Sequence, residues 1–387
     1  IIWRQLLLFF FPILLGTFFQ QLYNTIDSVI VGQFVGKEAL AAVGGSSAQI
    51  VAFVVGFFTG LSSGASVTIA QFFGAKDSRS ANKGLHTAYA IAAFGGLILT
   101  VSGIILTPFL LEMMNTPADI VADSAVYLRI YFAGIIFVLI YNMGSAILRA
   151  TGDSKRPLYY LIVCCIINIV LDVLFVIVFH MGVMGVAVAT LIAQAVSAVL
   201  VTLKLMRSEG ILKLSVKQIR FHGSILKMQL KLGLPTGFEA ILFSITNIAI
   251  QSAVNTFGTD TTAAWSAYGK LDAIFWMVST AFGIAITTFV GQNYGAGKMD
   301  RVRKSTRDHA MVHCICLYRS YRRSAARSRK RRRSGSHYSA WRLRPSHRMA
   351  CRHAENLTDD IGDYFKLSGN MGYHSACIYH LLYIHNP

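Results

Sequence analysis

Two acidic residues stand out because each lies within a long apolar segment. Asp27 lies in an apolar run at 8–32, and Asp172 lies in another at 157–179. An acidic side chain at the centre of a bilayer costs about 2.5–3.5 kcal/mol on insertion scales, so a retained one is a functional candidate. Two neighbouring carboxylates favour protonation of one of them and offer the oxygen ligands that hard cations prefer. The pair therefore predicts a site that exchanges H⁺ or Na⁺.

Three further polar side chains come to a similar depth. At about 1.5 Å per helical residue, Asp27 lies roughly 28 Å and Asp172 roughly 22 Å from the start of its span. Thr190 reaches this level from the opposite side, Asn168 shares a helix face with Asp172, and Tyr23 lies one turn before Asp27. These five residues form the predicted cation or proton site. The alternative is that Asp27 faces an aqueous vestibule alone and Asp172 only hydrogen-bonds Asn168.

The elements that would position these residues are membrane-spanning helices. The 387 residues are 54% hydrophobic and only 14% charged, with a mean hydropathy of +0.52. An ordinary soluble domain is about a quarter charged. Runs long enough to cross about 30 Å of hydrocarbon are found at eight places, namely 8–32, 46–72, 86–111, 124–147, 157–179, 184–204, 233–256 and 263–290. The first run shows no cleavage pattern and is read as a span.

Basic residues alternate between the connections. They follow the second, fourth and eighth spans and are nearly absent from the intervening connections. The positive-inside rule then predicts a cytoplasmic N-terminus and cytoplasmic even-numbered connections. The segment from Lys204 to Lys231 carries seven basic residues among apolar ones, and we expect an amphipathic helix along the inner leaflet there.

An internal repeat divides the chain into two halves. The second span ends in QFFGA at 71–75, and the eighth ends in QNYGA at 292–296, an offset of 221 residues. Both copies begin on the same side, so the repeat is parallel. We expect an all-α polytopic membrane protein with a six-helix N-terminal lobe at 1–205, a linker at 206–231 and a C-terminal lobe of about two helices at 232–306.

The second half contains three further ionisable candidates. Glu239 lies in the seventh span, and Lys270 and Asp272 lie in the eighth. They could line a substrate cavity. Alternatively, Glu239 is a solvated vestibule residue near the interface and Lys270 extends outwards to water.

The composition changes at about Arg307. Residues 307–387 carry 15 Lys and Arg against 5 Asp and Glu, and no window there offers about 18 apolar residues. One interpretation is a cytosolic basic arm for nucleic acid or anionic lipid. A disrupted reading frame explains the enrichment in Ser, Arg, His, Tyr and Cys better, and we expect this tail to lie outside the membrane fold.

Several motifs together resemble the multidrug and toxic compound extrusion (MATE) family, particularly its bacterial branch that includes the DNA-damage-inducible type. They are FPILLG at 11–16, QLYNTID at 21–27, VG at 31–32, ALAAVG at 39–44, GLSSG at 60–64, AQFFGA at 70–75, RATGD at 149–153 with Pro157, and QNYGA at 292–296. The resemblance covers about residues 5–305 and implies twelve helices in two lobes and drug efflux driven by H⁺ or Na⁺. It further implies that Asp27, Asn168, Asp172, Thr190 and Tyr23 form the cation site of the first lobe. Nothing after about Arg307 resembles the last four helices of the family.

The expected function is export of cationic or amphipathic drugs and toxic compounds by a monomer in a bacterial inner membrane, provided that the altered tail leaves the chain active. A flippase for lipid-linked precursors and a membrane-anchored protein with a nucleic-acid-binding tail are the alternatives. No hydrolase triad order, P-loop or zinc-protease motif is present, so an enzyme is not expected. The expected partners are small molecules and membrane lipid, without nucleic acid. We expect no cofactor, and no metal beyond Na⁺ at Asp27 and Asp172, because the six cysteines lack ligand spacing.

Overall fold

Long α-helices form this protein. The computed structural model describes residues 2–255 and 259–306, with side chains for 2–247, 273–274 and 276–306, and the described part contains no strand. The helices are α1 (Ile2–Ile30), α2 (Lys37–Gly44), α3 (Ser46–Gly74), α4 (Ser78–Met113), α5 (Val121–Ala150), α6 (Lys155–Asp172), α7 (Gly182–Met206), α8 (Gly223–Asn255) and α9 (Thr259–Gly295). Residues 299–306 are again helical.

Six stretches of the described chain are long and apolar enough to cross a membrane. They are Ile2–Val35, Lys37–Gly74, Ser78–Met113, Val121–Ala150, Lys155–Val178 and Gly182–Met206. They coincide with the first six predicted spans, of which the fifth extends one residue past Val178, and α8 and α9 lie where the seventh and eighth were predicted. The chain is therefore an all-α multi-pass membrane protein. The tail at 307–387 lies outside the described residues.

Two π-helical segments continue the helices that carry the acidic residues. Val31–Val35 follows α1, and Val173–Val178 follows α6 directly after Asp172. In each, a backbone amide bonds the carbonyl five residues earlier, from Gly36 to Val31 and from Phe179 to Leu174, both at 3.0 Å. The chain then reverses at Gly36, whose φ of 123° is unfavourable for any residue with a Cβ. The short helix α2, which the sequence did not predict, follows this turn.

The core of the first half lies among α3, α4, α5 and α7. Its largest fully buried side chains include Ile69, Leu85, Phe132, Ile147 and Leu205. A second cluster joins the start of α1 to α9 through residues such as Leu6 and Ala285. The first half thus packs internally and also contacts the described part of the second half.

Glycines on both helices form the seam between α3 and α8. A Cβ at Gly60 or Gly64 would overlap the backbone of α8, and one at Gly233 or Gly237 would lie 2.9 Å from backbone atoms of α3. Each pair is spaced by four residues, so each lies on one helix face. Small residues at this spacing allow transmembrane helices to approach closely, where dispersion contacts hold them together.

The amphipathic helix predicted between Lys204 and Lys231 is wrong. After α7 the chain forms two single 3₁₀ turns, Gly210–Leu212 and Val216–Gln218, and α8 then begins at Gly223. Gly210, the first residue of the first turn, has a φ of 64°, a left-handed conformation that glycine adopts readily. The Asn82 amide donates to the carbonyls of Ile211 and Lys213, both at 3.1 Å. The backbone of this linker therefore bonds α4 in addition to closing these two short turns.

Candidate functional site

Three helices of the first half each carry two polar residues one turn apart. Because residues i and i+4 share a helix face, each pair projects in one direction. Helix α6 packs against both α1 and α7, and this packing brings the pairs together. The pairs are Tyr23 and Asp27 on α1, Asn168 and Asp172 on α6, and Thr190 and Gln194 on α7.

The two carboxylates are neighbours in this cluster. Asp172 is fully buried, and Asp27 retains 8% of its surface. The Asp27 carboxyl lies within interaction range of Asp172, Asn168 and Thr190. Asp27, Asn168, Asp172 and Thr190 are thus brought to one place, and Tyr23 lies one turn away on α1.

Hydrogen bonds fix the orientation of the neutral members. The Asn168 amide nitrogen donates to the Thr190 hydroxyl at 3.5 Å, and the Gln194 amide nitrogen donates to the Tyr23 hydroxyl at 3.1 Å. Each bond joins two different helices. The Asn168 nitrogen is therefore directed to α7, which leaves its carbonyl oxygen as an acceptor.

Four buried oxygens of the cluster have no hydrogen-bond donor among the described residues. They are Asp27 Oδ1, Asn168 Oδ1 and both carboxylate oxygens of Asp172. An unpaired buried polar group costs about 1–3 kcal/mol, so the cluster gains from any species that neutralises it. A proton converts an acceptor into a donor, and Na⁺ binds oxygen ligands. The described residues contain no group of three or more His, Cys, Asp or Glu that could hold a metal ion.

The sequence interpretation missed two tyrosines and a glutamine near the carboxylates. The rings of Tyr127 and Tyr131, one turn apart on α5, stack with centroids 6.2 Å apart. Tyr127 lies within electrostatic range of both carboxylates, and Tyr131 lies within that range of Tyr23. The available signal was the four-residue spacing, which Tyr127 and Tyr131 share with the pairs on α1 and α6. Gln194 follows Thr190 at the same spacing.

Of the three candidates of the second half, the structure describes the side chain of Glu239 alone. Glu239 is half-buried on α8, and α8 packs mainly against α3. The side chains of Lys270 and Asp272, on α9, lie outside the described residues. Glu239 therefore lies on a helix that carries none of the residues of the site on α1, α6 and α7.

The two copies of the repeat meet where the basic connections lie. We call this the basic end, defined by Lys76, Lys155, Arg156 and Lys298. There Gly74 packs against the backbone of Gln292, and Gly295 packs against the backbone of Gln71. The Gln292 amide also donates to the Ala150 carbonyl at 2.8 Å. The halves are therefore in direct backbone contact at the basic end.

A family model and curated proteins of known sequence match this chain. The MatE family model matches residues 12–174 and 235–317. The probable multidrug resistance protein YoeA of Bacillus subtilis is 32% identical over 313 residues, which are 79% of this chain and 67% of that protein. YpnP, a probable multidrug resistance protein of the same organism, is 33% identical over 300 residues, 77% of this chain and 66% of that protein. The chain spans about two thirds of the length of these curated relatives.

Solved structures share the arrangement of helices. A structure described as the outward-facing conformation of a multidrug resistance MATE family transporter superposes with a TM-score of 0.75 at 24% identity, over 82% of this chain and 70% of that one. A crystal structure of MATE in the bent conformation superposes with the same TM-score and identity, over 81% of this chain and 70% of that one. These likenesses describe the fold.

Proposed function

Because this chain belongs to the MatE family, we propose that it is a secondary active transporter that exports cationic or amphipathic organic compounds in exchange for H⁺ or Na⁺. The observation that carries the proposal is the pair of buried carboxylates, Asp27 and Asp172, with oxygens that have no donor among the described residues. Together with the two relatives named as probable multidrug resistance proteins, this pair supports ion-coupled export.

The chemistry of coupling follows from the environment of the two acids. Charge in a low-dielectric interior is costly unless it is paired, so the cluster is more stable when it holds a proton or Na⁺. The Asn168 oxygen and the Thr190 hydroxyl add neutral ligands beside the carboxylates. Release of the cation on one side of the membrane and uptake on the other would then bias the two halves between two arrangements.

The proposed orientation places the basic end in the cytoplasm of a bacterial inner membrane. Basic residues lie in the connections and first helical turns at this end, namely Lys76, Arg79, Lys155, Arg156 and Lys298, whereas residues 256–260, between the seventh and eighth spans, contain none. The positive-inside rule supports a cytoplasmic N-terminus on this basis. In this orientation the contact between Gly74 and Gln292 closes the cytoplasmic side. The proposal requires a single chain and a small-molecule substrate, and no nucleic acid.

Transport by the full chain in proteoliposomes tests the proposal. Ethidium movement would be followed under an imposed proton gradient and, separately, under a sodium gradient. We expect Asp172→Asn to abolish gradient-driven transport, since the amide keeps volume and hydrogen bonding but does not titrate. Asp123→Asn, the same change at an exposed position of α5, is the matched control and should leave transport unchanged.

Retained transport in Asp172→Asn would contradict the site assignment. Absence of transport by the unsubstituted chain under both gradients, in protein that elutes as a single folded species, would contradict the proposed activity. The gradient that supports transport identifies the coupling ion.

A further inference from the structure

A second polar region, far from the carboxylates, lies at the basic end. A cavity of about 570 Å³ opens there between the first turns of α1 and the last turns of α3 and α9. Three cationic side chains line it, Lys76, Lys298 and Arg301, and its described lining contains no acidic residue. The only ion pair among the described residues joins Arg156 to Asp153. The three cations of the cavity therefore have no carboxylate partner in the described part of the chain.

Apolar side chains also line the cavity, and we call them its apolar wall. It is formed by Leu6 and Phe9 of α1, Phe73 of α3 and Phe289 of α9. The Arg301 guanidinium lies 5.2 Å from the centroid of the Phe289 ring and donates to the Gln5 side-chain oxygen at 2.8 Å. These two contacts hold the guanidinium beside the apolar wall. The cavity is thus suited to a ligand with an anionic group attached to hydrocarbon.

The backbone at Lys76 supports a role for its side chain. Lys76 ends α3 with a φ of 58°, and its counterpart 221 residues later, Gly297, ends α9 with a φ of 70°. The two turns also have the same hydrogen-bond pattern. The Asp77 backbone amide donates to the Phe72 carbonyl, and the Lys298 backbone amide donates to the Asn293 carbonyl. Glycine is the favoured residue in this left-handed geometry, and other residues are strained there. One copy uses glycine, and the other keeps a lysine that lines the cavity.

We propose that this cavity binds the phosphate-bearing headgroup of an anionic phospholipid, with the acyl chains along the apolar wall. The three cations provide attraction for the phosphate, and basic pockets between helices at the cytoplasmic side suit such headgroups. The tail at 307–387 is a poor alternative occupant because it carries a net charge of +10. The inference requires that the basic end lies at a leaflet surface and does not depend on which compound is transported.

Lipid retention by the purified full chain tests this site. Native mass spectrometry would count lipids retained after titration with phosphatidylglycerol, with phosphatidylcholine and with inorganic phosphate alone. We expect one tightly retained phosphatidylglycerol, no equivalent phosphatidylcholine, and no displacement by inorganic phosphate. Lys76→Gly and Arg301→Gln should each weaken retention about fivefold, the factor that corresponds to the loss of one cation near a lipid surface.

The variants separate binding from folding. Lys76→Gly removes a cation while it adopts the residue that the other copy uses at this turn, so it should fold at least as well as the unsubstituted chain. Lys217→Ala removes an exposed cation of the linker, outside the cavity, and should leave retention unchanged. Equal retention of both lipids, equal weakening by Lys217→Ala, or displacement by inorganic phosphate would each overturn the inference. None of these outcomes depends on a transport assay.

Discussion

Gly74 and Gly295 each pack against the other's helix, although 221 residues separate them in the chain. A Cβ at Gly74 would overlap the Gln292 carbonyl oxygen, and one at Gly295 would overlap the Gln71 carbonyl oxygen. The contact is reciprocal because the two copies of the repeat face each other at the basic end. Among the described residues, this contact places the backbone of one half directly against the backbone of the other.

Gly74→Ala and Gly295→Ala should open the basic end. The added methyl group cannot be accommodated against a backbone oxygen, so the halves must separate. We expect faster labelling of a cysteine introduced at Ser78, which lines the basic-end cavity, by a charged maleimide. Gly283→Ala on α9, with no described atom within 4 Å of the added Cβ, is the control. Unchanged labelling in the first two variants would show that the contact does not limit access.

The glycine seam between α3 and α8 should respond to the same change at one site and tolerate it at another. A Cβ at Gly64 would overlap the backbone of α8, whereas a Cβ at Gly56 would lie 3.5 Å from the Ala240 methyl group, an ordinary contact. Gly64→Ala should lower stability by about 1–3 kcal/mol, as overpacking does, and Gly56→Ala should have little effect. Thermal melting in detergent measures both. Equal melting temperatures for the two variants would contradict the close approach.

The bond between Gln194 and Tyr23 should appear as coupling between two substitutions. Hydrogen bonds between transmembrane helices contribute about 0.5–2 kcal/mol. Gln194→Leu alone leaves the Tyr23 hydroxyl without this partner, and Tyr23→Phe alone does the reverse. The double variant should therefore lose less stability than the sum of the single variants. Unfolding in mixed micelles measures the difference, and simple additivity would show that the bond contributes nothing.

The linker should loosen as the pH falls below about 6.5. Partial burial, with the charges of Arg220, Lys83 and His86, holds the pKa of His222 below its usual value of 6.5. The Arg220 Nε donates to His222 Nε2 at 3.3 Å, and Nδ1 lies 3.1 Å from the Thr87 hydroxyl. Because the folded state favours the neutral ring, the unfolded state binds more protons in this window, and the stabilisation is present above pH 6.5 and lost below it.

Hydrogen exchange of residues 207–222 at about pH 7.5 and about pH 5.5, corrected for intrinsic rates, measures this effect across the range in which histidine titrates. His222→Gln should remove the pH dependence, because the amide does not titrate. His180→Gln, at an exposed residue away from the linker, should retain it. Protection that is equal at both pH values in the unsubstituted chain would contradict the role of His222.

The site was more predictable from the sequence than its surroundings were. Depth along a helix and the four-residue face placed Asp27, Asp172 and Asn168 together, because both quantities follow from helical geometry alone. Tyr127 was missed because a tyrosine in an apolar span is compatible with ordinary packing, and only the fold shows that α5 directs it to the carboxylates. Helix packing, unlike depth, requires the tertiary structure.

The amphipathic helix predicted for the linker is wrong for a different reason. Its alternation of basic and apolar residues is compatible with an amphipathic helix, but the outcome depends on bonds to residues far away in sequence. The Asn82 side-chain amide donates to two linker carbonyls, and the Ser215 backbone amide donates to His86 Nε2 at 3.1 Å. Such contacts leave no signal in the local pattern. The conformation of this short segment between two long helices is therefore determined by its bonds to the helix against which it packs.

The π-helical segments that follow α1 and α6 would allow these two helices to rotate about their axes. A π turn closes over five residues where an α turn closes over four, so each segment holds one additional residue. One residue of an α-helix corresponds to about 100° of rotation and 1.5 Å of rise. If Val31–Val35 or Val173–Val178 returned to α geometry, the preceding helix would turn by about that angle relative to the residues beyond. The carboxylates of Asp27, four residues before the first segment, and Asp172, directly before the second, would then rotate about their helix axes and shift along them. Neither helix would break.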